Sequence, residues 1–136
     1  MTDIISSERR SANMRAVRSK HTKPEICVRQ IVHKLGFRFR LHRKELPGKP
    51  DLAFIGKRKV IFVHGCFWHQ HIGCKRATTP QTNSQFWRNK LAKNVKRDLE
   101  HTQCLKANGW KVLVVWGCET KDKFELSERL RSFLAD

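Results

Sequence analysis

Hydrophobic periodicity in the first part of the chain predicts one helix followed by two strands. Residues 24–35 carry apolar side chains three and four positions apart, the spacing of one helix face, and Gly36 suits the end of such a helix. Residues 37–41 alternate apolar and polar side chains, which is typical of a strand with one buried face. A loop rich in proline and glycine follows, and residues 51–55 predict the second strand.

The second part of the chain predicts two fully buried strands separated by a long helix. The apolar runs at 60–63 and 110–116 are typical of strands buried on both faces. Between them, residues 85–108 predict a helix capped by Ser84, and residues 123–134 predict a last helix. The apolar positions of the long helix fall four apart, at Trp87, Leu91, Val95 and Leu99. Because a helix crossover joins the two buried strands, we expect them to be parallel neighbours, beside an antiparallel meander.

Composition then adds a strong positive charge to this α/β pattern. The 136 residues fit one domain and include 29 Lys and Arg against 12 Asp and Glu, a formal net charge of +17. Such an excess favours a polyanionic partner, nucleic acid first. We expect residues 1–20 to form a basic arm or helix and residues 21–136 to form the domain. Without a signal sequence or a membrane-spanning apolar run, a monomeric cytoplasmic protein that makes no membrane contact is expected.

A cluster of cysteine and histidine in the loop 65–82 predicts a zinc site. Four potential ligands lie within nine residues: Cys66, His69, His71 and Cys74. Cys118 follows the strand 110–116 as Cys66 follows the strand 60–63, and parallel neighbours end at the same sheet edge. Five candidates for four tetrahedral places leave His69 or His71 spare. The alternative is that Cys118 is a small buried residue, as we expect for Cys27 and Cys104 in their helices.

A second polar group lies beside the same strand end. His64 stands where the strand 60–63 ends, and Asp51 follows Pro50 at the start of the preceding strand. Many metal-dependent nucleases present a carboxylate to Mg²⁺ in this way. A single Pro-Asp pair is weak evidence, because turns contain many of them.

Five segments give the chain a clear resemblance to a known family, the very-short-patch-repair (Vsr) mismatch endonucleases. The similarity runs from Arg10 to about Leu130 and is carried by RSANMRAVRSKHTKPE, LPGKPDLAF, VIFVHGCFWHQHIGC, FWRNKLAKNVKRDLEH and LKANGWKVLVVWGCE. It implies a restriction-endonuclease-like α/β core of the PD-(D/E)xK type, with a mixed sheet flanked by helices and a structural zinc site. It also implies Mg²⁺-dependent nicking of one DNA strand, 5′ of the T in a T:G mismatch left by deamination of 5-methylcytosine.

The resemblance also implies roles for individual residues. Asp51 and the main-chain carbonyl of Val63 would bind Mg²⁺, His69 would be the general base, and Asp98 would orient it. His64 would contact metal-bound water or phosphate, and Glu25 would hold a further water. The zinc ligands would be Cys66, His71, Cys74 and Cys118. Two features depart from the family pattern: Val63 stands where Thr is common, and the zinc loop is one residue longer.

Aromatic and basic residues complete the expected DNA interface. By the same resemblance, a wedge that enters the base stack at the mismatch comprises Phe67, Trp68 and Trp87, whereas Trp110 and Trp116 are expected in the core. Met14 and Arg15 would reach the minor groove, and Lys90 and Lys93 would contact phosphates. Other mismatch-repair proteins are possible partners. The alternatives are a restriction-like endonuclease acting on matched duplex DNA and a zinc-stabilised DNA-binding protein without catalysis.

Overall fold

A computed structural model describes residues 22–75 and 77–135. Its helices and strands occur in the predicted order: α1 (Lys23–Lys34), β1 (Arg40–Leu41), β2 (Leu52–Phe54), β3 (Lys59–His64), α2 (Ser84–Ala107), β4 (Lys111–Trp116) and α3 (Lys123–Ala135). Short 3₁₀ turns cover Ile55–Lys57 and Gly117–Lys121. The expected basic arm 1–20, with Met14 and Arg15, lies outside the described residues.

The four strands form one mixed sheet in the order β1-β2-β3-β4. The strands β1, β2 and β3 are an antiparallel meander, and β3 pairs in parallel with β4 from Lys59↔Lys111 to His64↔Trp116. The expected parallel pairing is therefore confirmed. The strand β1 is shorter than the predicted 37–41, because only Arg40 and Leu41 pair with β2.

Helices cover both faces of the sheet, so the fold has three layers. The helices α1 and α3 pack on one face, against alternate strand residues such as Ile61 and Val115. The helix α2 packs on the other face, where Leu105 meets Val60 and Phe62. Within the described part of the chain, no helix is long and apolar enough to cross a membrane.

The helix α2 differs in detail from its prediction. Leu91 and Leu105 are buried at 2% and 0% exposure, but Leu99 is 58% exposed. A four-residue spacing overshoots one helical turn, so Leu99 lies about 80° around the helix from Leu91, whereas Leu105 returns to within about 40°. The N-cap is Asn83 rather than Ser84.

The two cysteines expected in the core do not share one environment. Cys27 in α1 is half-buried, whereas Cys104 in α2 is exposed. The prediction for Cys104 was wrong because this residue lies on the outer side of α2, next to the buried Leu105.

Candidate active site

The candidate site lies at the sheet edge where β3 and β4 end. His64 and Trp116 are the last residues of these strands and pair in register. Asp51 immediately precedes β2, which runs antiparallel to β3, so it reaches the same edge. Its Oδ2 accepts a hydrogen bond from the Val63 N–H at 2.7 Å. Ligands of α/β sheets characteristically bind at this edge, beyond the carboxyl ends of the strands.

Four metal-binding side chains meet beyond the ends of β3 and β4. The ligand atoms of Cys66, His71, Cys74 and Cys118 all lie within 4.8 Å of one another. Nδ1 of His71 is 3.7 Å from Cys66 Sγ and 3.5 Å from Cys118 Sγ. Bond lengths of 2.3 Å to sulfur and 2.05 Å to nitrogen in a tetrahedron require a sulfur–nitrogen separation of about 3.6 Å. The donor set therefore fits a tetrahedral metal ion.

The ionisation of Cys118 shows how crowded these donors are. Burial, together with the neighbouring Cys66 and Cys74 thiols, raises the pKa of the Cys118 thiol to about 11. Several thiolates at such close range repel one another unless a cation lies between them, because the metal ligand is the deprotonated form.

His69 lies in the same loop as His71 but points to a different partner. Its Nδ1 is 2.6 Å from Oδ2 of Asp98 on α2, and each of these two side chains is about one-quarter exposed. The structure therefore places His71, and not His69, among the thiols. The pairing leaves Nε2 of His69 as the nitrogen that can accept a proton.

His64 packs beside the pair formed by His69 and Asp98. Its ring stacks on that of His69 with centroids 3.9 Å apart and planes within 5°. Burial lowers the pKa of His64 to about 4, and the neighbouring His69 contributes to the shift. His64 is therefore neutral near pH 7, which allows the two imidazoles to stack.

Trp116 occupies a position that the sequence did not predict. It was expected in the core, but it is only half-buried. Its indole stacks on the ring of His71, with centroids 4.3 Å apart, and meets His64 edge-on at 5.2 Å. The prediction was wrong because Trp116 is the last residue of β4, where the loop that carries His71, and not the helix α2, packs on the strand.

The buried carboxylate of Glu25 and the half-buried one of Asp51 line the opposite side of the site. Glu25, 1% exposed, lies in the first turn of α1, where its main-chain N–H donates to Thr22 Oγ1. Burial raises the pKa of Asp51 to about 7; the Val63 N–H opposes this shift and Glu25 adds to it. A dication is well suited to such a pair, because it offsets both the desolvation and the mutual repulsion.

His42 belongs to this carboxylate group and was missed in the sequence. Its Nε2 lies 3.0 Å from Oε2 of Glu25 and 3.8 Å from Oδ1 of Asp51. The strand register carries the reason: β1 and β2 pair as Leu41↔Leu52, so the next position brings His42 opposite Asp51. Its φ of 47° turns the chain away from the sheet at this point. A residue-by-residue register for the predicted antiparallel meander would have placed His42 opposite Asp51.

The aromatic residues of the expected wedge form one contiguous cluster. Phe67 is 5.0 Å from Trp68 and 5.7 Å from Trp87, ring centre to ring centre. Phe86, 59% exposed and not predicted as a site residue, packs edge-on against Trp87 at 5.4 Å. The side-chain amide of Asn94 donates to the Trp68 carbonyl at 3.1 Å and so ties this loop to α2.

A cleft of about 1880 Å³ joins these groups. This exceeds the 300–1,000 Å³ of common small-molecule pockets and suits a larger ligand. Asp51, His64, His69 and Lys90 line it, whereas Lys93 is exposed outside the lining. On its far side, Gly48 (φ 78°) packs so closely on His101 that a Cβ would lie 2.9 Å from that ring.

Comparisons with known proteins find a family and several similar chains. A family model described as DNA mismatch endonuclease Vsr matches residues 2–76. The type II nicking enzyme V.XorIIP of Xanthomonas oryzae pv. oryzae is 50% identical over 134 residues, which cover 98% of each chain. The type II nicking enzyme V.NmeAIP of Neisseria meningitidis is 41% identical over 136 residues, which cover 100% of this chain and 96% of that one. The DNA mismatch endonuclease Vsr of Escherichia coli is 38% identical over 128 residues, which cover 94% of this chain and 81% of that one.

Among solved structures, the catalytic domain of the homing endonuclease I-Bth0305I has the same fold. Its TM-score is 0.61 at 21% sequence identity, over 84% of this chain and 95% of that chain. At this identity the likeness concerns the fold alone. It confirms the predicted restriction-endonuclease-like α/β architecture with its mixed sheet.

Proposed function

Since the chain belongs to the Vsr family of DNA mismatch endonucleases, and is therefore an endonuclease, we propose that it nicks one strand of duplex DNA 5′ of the thymine in a T:G mismatch. One observation carries the proposal. His69 is held by Asp98 at 2.6 Å, in the cleft that also holds Asp51, and is not drawn into the cysteine cluster. A pure DNA-binding protein has no need of such a pair.

His69 is the general base in this proposal. The carboxylate of Asp98 keeps the ring proton on Nδ1, so Nε2 is free to take a proton from the attacking water. Asp98 also stabilises the imidazolium that forms.

Asp51 and the main-chain carbonyl of Val63 would hold the catalytic cation, which we propose to be Mg²⁺. When bound, Mg²⁺ polarises a phosphoryl oxygen and stabilises the leaving oxygen of the phosphodiester. The N–H and C=O of one strand residue point the same way, and the Val63 N–H already faces Asp51. A main-chain ligand also makes the side chain at position 63 unimportant for binding.

Glu25 and His64 act around these two groups. Buried beside Asp51, Glu25 would hold a water molecule that accompanies the cation. The neutral ring of His64 would contact a metal-bound water or a phosphate oxygen, and its stacking fixes the plane of His69.

We assign zinc to the cluster Cys66, His71, Cys74 and Cys118. Three cysteines and one histidine are a common structural zinc set, and four protein ligands leave no open position for a water. The ion would hold the loop 65–75 against the end of β4, and so fix where His69 and the aromatic cluster begin.

The aromatic cluster and the basic residues supply the DNA contacts. Phe67, Trp68 and Trp87 would enter the base stack, which costs least at a mispair, so insertion itself favours mismatched sites. Lys90 and Lys93 on α2 would bind phosphates, which adds salt-dependent affinity without choosing a sequence.

A nicking assay tests the proposed substrate directly. The protein is incubated with T:G and matched duplexes of the same sequence context, with and without Mg²⁺. We expect Mg²⁺-dependent nicking of the T:G duplex only, on the strand that carries the thymine. Equal nicking of both duplexes would instead favour an endonuclease acting on matched DNA. Binding without any nicking would favour a non-catalytic protein.

A substitution tests the proposed catalytic centre. Asp51→Ala is expected to abolish nicking while the variant keeps its cysteine-bound metal and its DNA affinity, because Asp51 contacts neither the thiols nor the aromatic cluster. Glu128→Ala, which removes an exposed carboxylate on α3, is the matched control and should nick normally. Full activity in Asp51→Ala would show that the catalytic assignment is wrong.

A further inference from the structure

One indole, that of Trp116, lies between the cysteine-rich cluster and the histidines of the cleft. On one side it stacks on His71, with centroids 4.3 Å apart and planes within 6°. On the other side it meets His64 edge-on at 5.2 Å, and His64 in turn stacks on His69 at 3.9 Å. The rings therefore form an unbroken column from a metal-binding histidine to the one paired with Asp98.

Trp116 is anchored from the sheet and not from the loop. It pairs in register with His64 in the parallel ladder of β3 and β4. Its main-chain N–H donates to Oε1 of Glu119 at 2.8 Å, and the guanidinium of Arg129 on α3 lies 3.1 Å from the same oxygen. His71 and His69, by contrast, lie in a loop of successive turns that is held by local main-chain hydrogen bonds.

We propose that Trp116 is a positioning residue through which the metal cluster sets the orientation of His64 and His69. The inference rests on the proposed function, because that proposal gives His69 its catalytic role. A bound metal ion would fix the ring of His71, and stacking on that ring together with the position of β4 fixes the orientation of the indole. The edge-on contact with the indole then limits the rotation of the His64 ring. The His64–His69 stack passes this constraint to the base.

Two substitutions of Trp116 test the role. Trp116→Leu removes the ring contacts with His71 and His64 and the longer one with His69. A small misorientation of the base is enough to slow nicking by about 10- to 100-fold. We expect kcat to fall while KM for DNA and the metal content per chain stay the same. Trp116→Phe, which keeps a ring that can stack, should recover most of the rate. Trp110→Leu is the control: it removes an indole from the other end of β4, where Trp110 packs on the α2 side of the core.

A second perturbation comes from the metal side of the column. His71→Cys keeps a four-ligand set that zinc accepts but removes the ring that stacks on Trp116. Cobalt substitution reports by its visible spectrum whether four ligands remain. We expect this variant to lower kcat as Trp116→Leu does, and the double variant to be no slower than the slower single one, because both break one column.

Two results would overturn the proposal: an unchanged kcat in Trp116→Leu with normal metal content, or a double variant whose loss is the product of the single losses. All variants are compared on whichever duplex the wild-type protein nicks. A missing preference for T:G would therefore defeat the proposed substrate and leave this test intact, whereas full nicking by His69→Ala would defeat the proposed catalytic role itself.

Discussion

The contact between His69 and Asp98 makes a sharp prediction about catalysis. In Asp98→Asn the carboxylate becomes an amide of almost the same size, so packing on α2 is kept. The amide N–H can donate to Nδ1 of His69 and so places the ring proton on Nε2. The nitrogen that must accept the proton from water is then already protonated, and the base is lost without loss of the side chain.

The geometry sets the size of the effect. Loss of a general base costs 10²- to 10⁴-fold, and loss of the carboxylate that orients it can cost as much. His69 and Asp98 are 28% and 25% exposed, so solvent screens their interaction in part. We therefore expect the lower half of this range, about 100- to 1,000-fold in kcat, which is roughly 3–4 kcal/mol in the barrier.

Single-turnover nicking of a T:G duplex with saturating protein and Mg²⁺ measures this step without product release. Glu100→Gln is the matched control, because it removes the same charge from an exposed position two residues along α2. Any gain in DNA affinity from the lost negative charge is then common to both variants. A loss below about threefold in Asp98→Asn would show that His69 does not depend on this contact and would refute the reasoning.

Three further predictions concern stability and metal binding. Burial raises the pKa of Asp51 to about 7, so ionisation of this carboxyl destabilises the folded state as pH rises from about 4 to 7. In Mg²⁺-free buffer, Asp51→Asn should therefore have a higher melting temperature than the wild type above pH 7. The difference should vanish towards pH 4. Lys59, 2% exposed, donates from Nζ to the Phe133 carbonyl at 2.6 Å and so caps the last turn of α3. Lys59→Met should therefore lower the free energy of unfolding, measured in urea, by about 1–3 kcal/mol, and an unchanged value would exclude a stabilising role for this cap. Cys118→Ser should lose the bound metal by elemental analysis and lower the melting temperature, whereas Cys104→Ser, at an exposed thiol, should change neither.

The cluster of Cys66, His71, Cys74 and Cys118 was predictable because two independent signals in the sequence agree. Local spacing groups Cys66, His69, His71 and Cys74, and the parallel pairing inferred from the long crossover helix brings Cys118 to the same sheet edge. Backbone topology alone fixes this meeting, so no side-chain detail was needed. The assignment of His69 and His71 was different: residue spacing left the two histidines equivalent, and the resemblance to the family supplied the expected split.

His42 and Phe86 escaped prediction for a physical reason. His42 joins the carboxylates through the register of a two-residue strand, which pairs it with a partner remote in sequence. Phe86 joins the aromatic cluster through the direction of its side chain, which packs against Trp87 on the helix surface. Periodicity identifies which face of an element is buried, but it does not specify where a polar side chain meets its partner across a turn.

The inner face of α2 shows why the apolar pattern and the site disagree. Between the buried Leu91 and Leu105 this face carries Asn94, Asp98 and His101, all half-buried and all lining the cleft. A helix designed for packing alone would place apolar residues there. The polar stretch lines the cleft at the end of the sheet, between the buried positions of Leu91 and Leu105. The four-residue apolar repeat that predicted the helix therefore could not predict its buried face, because the middle of that face serves the candidate site.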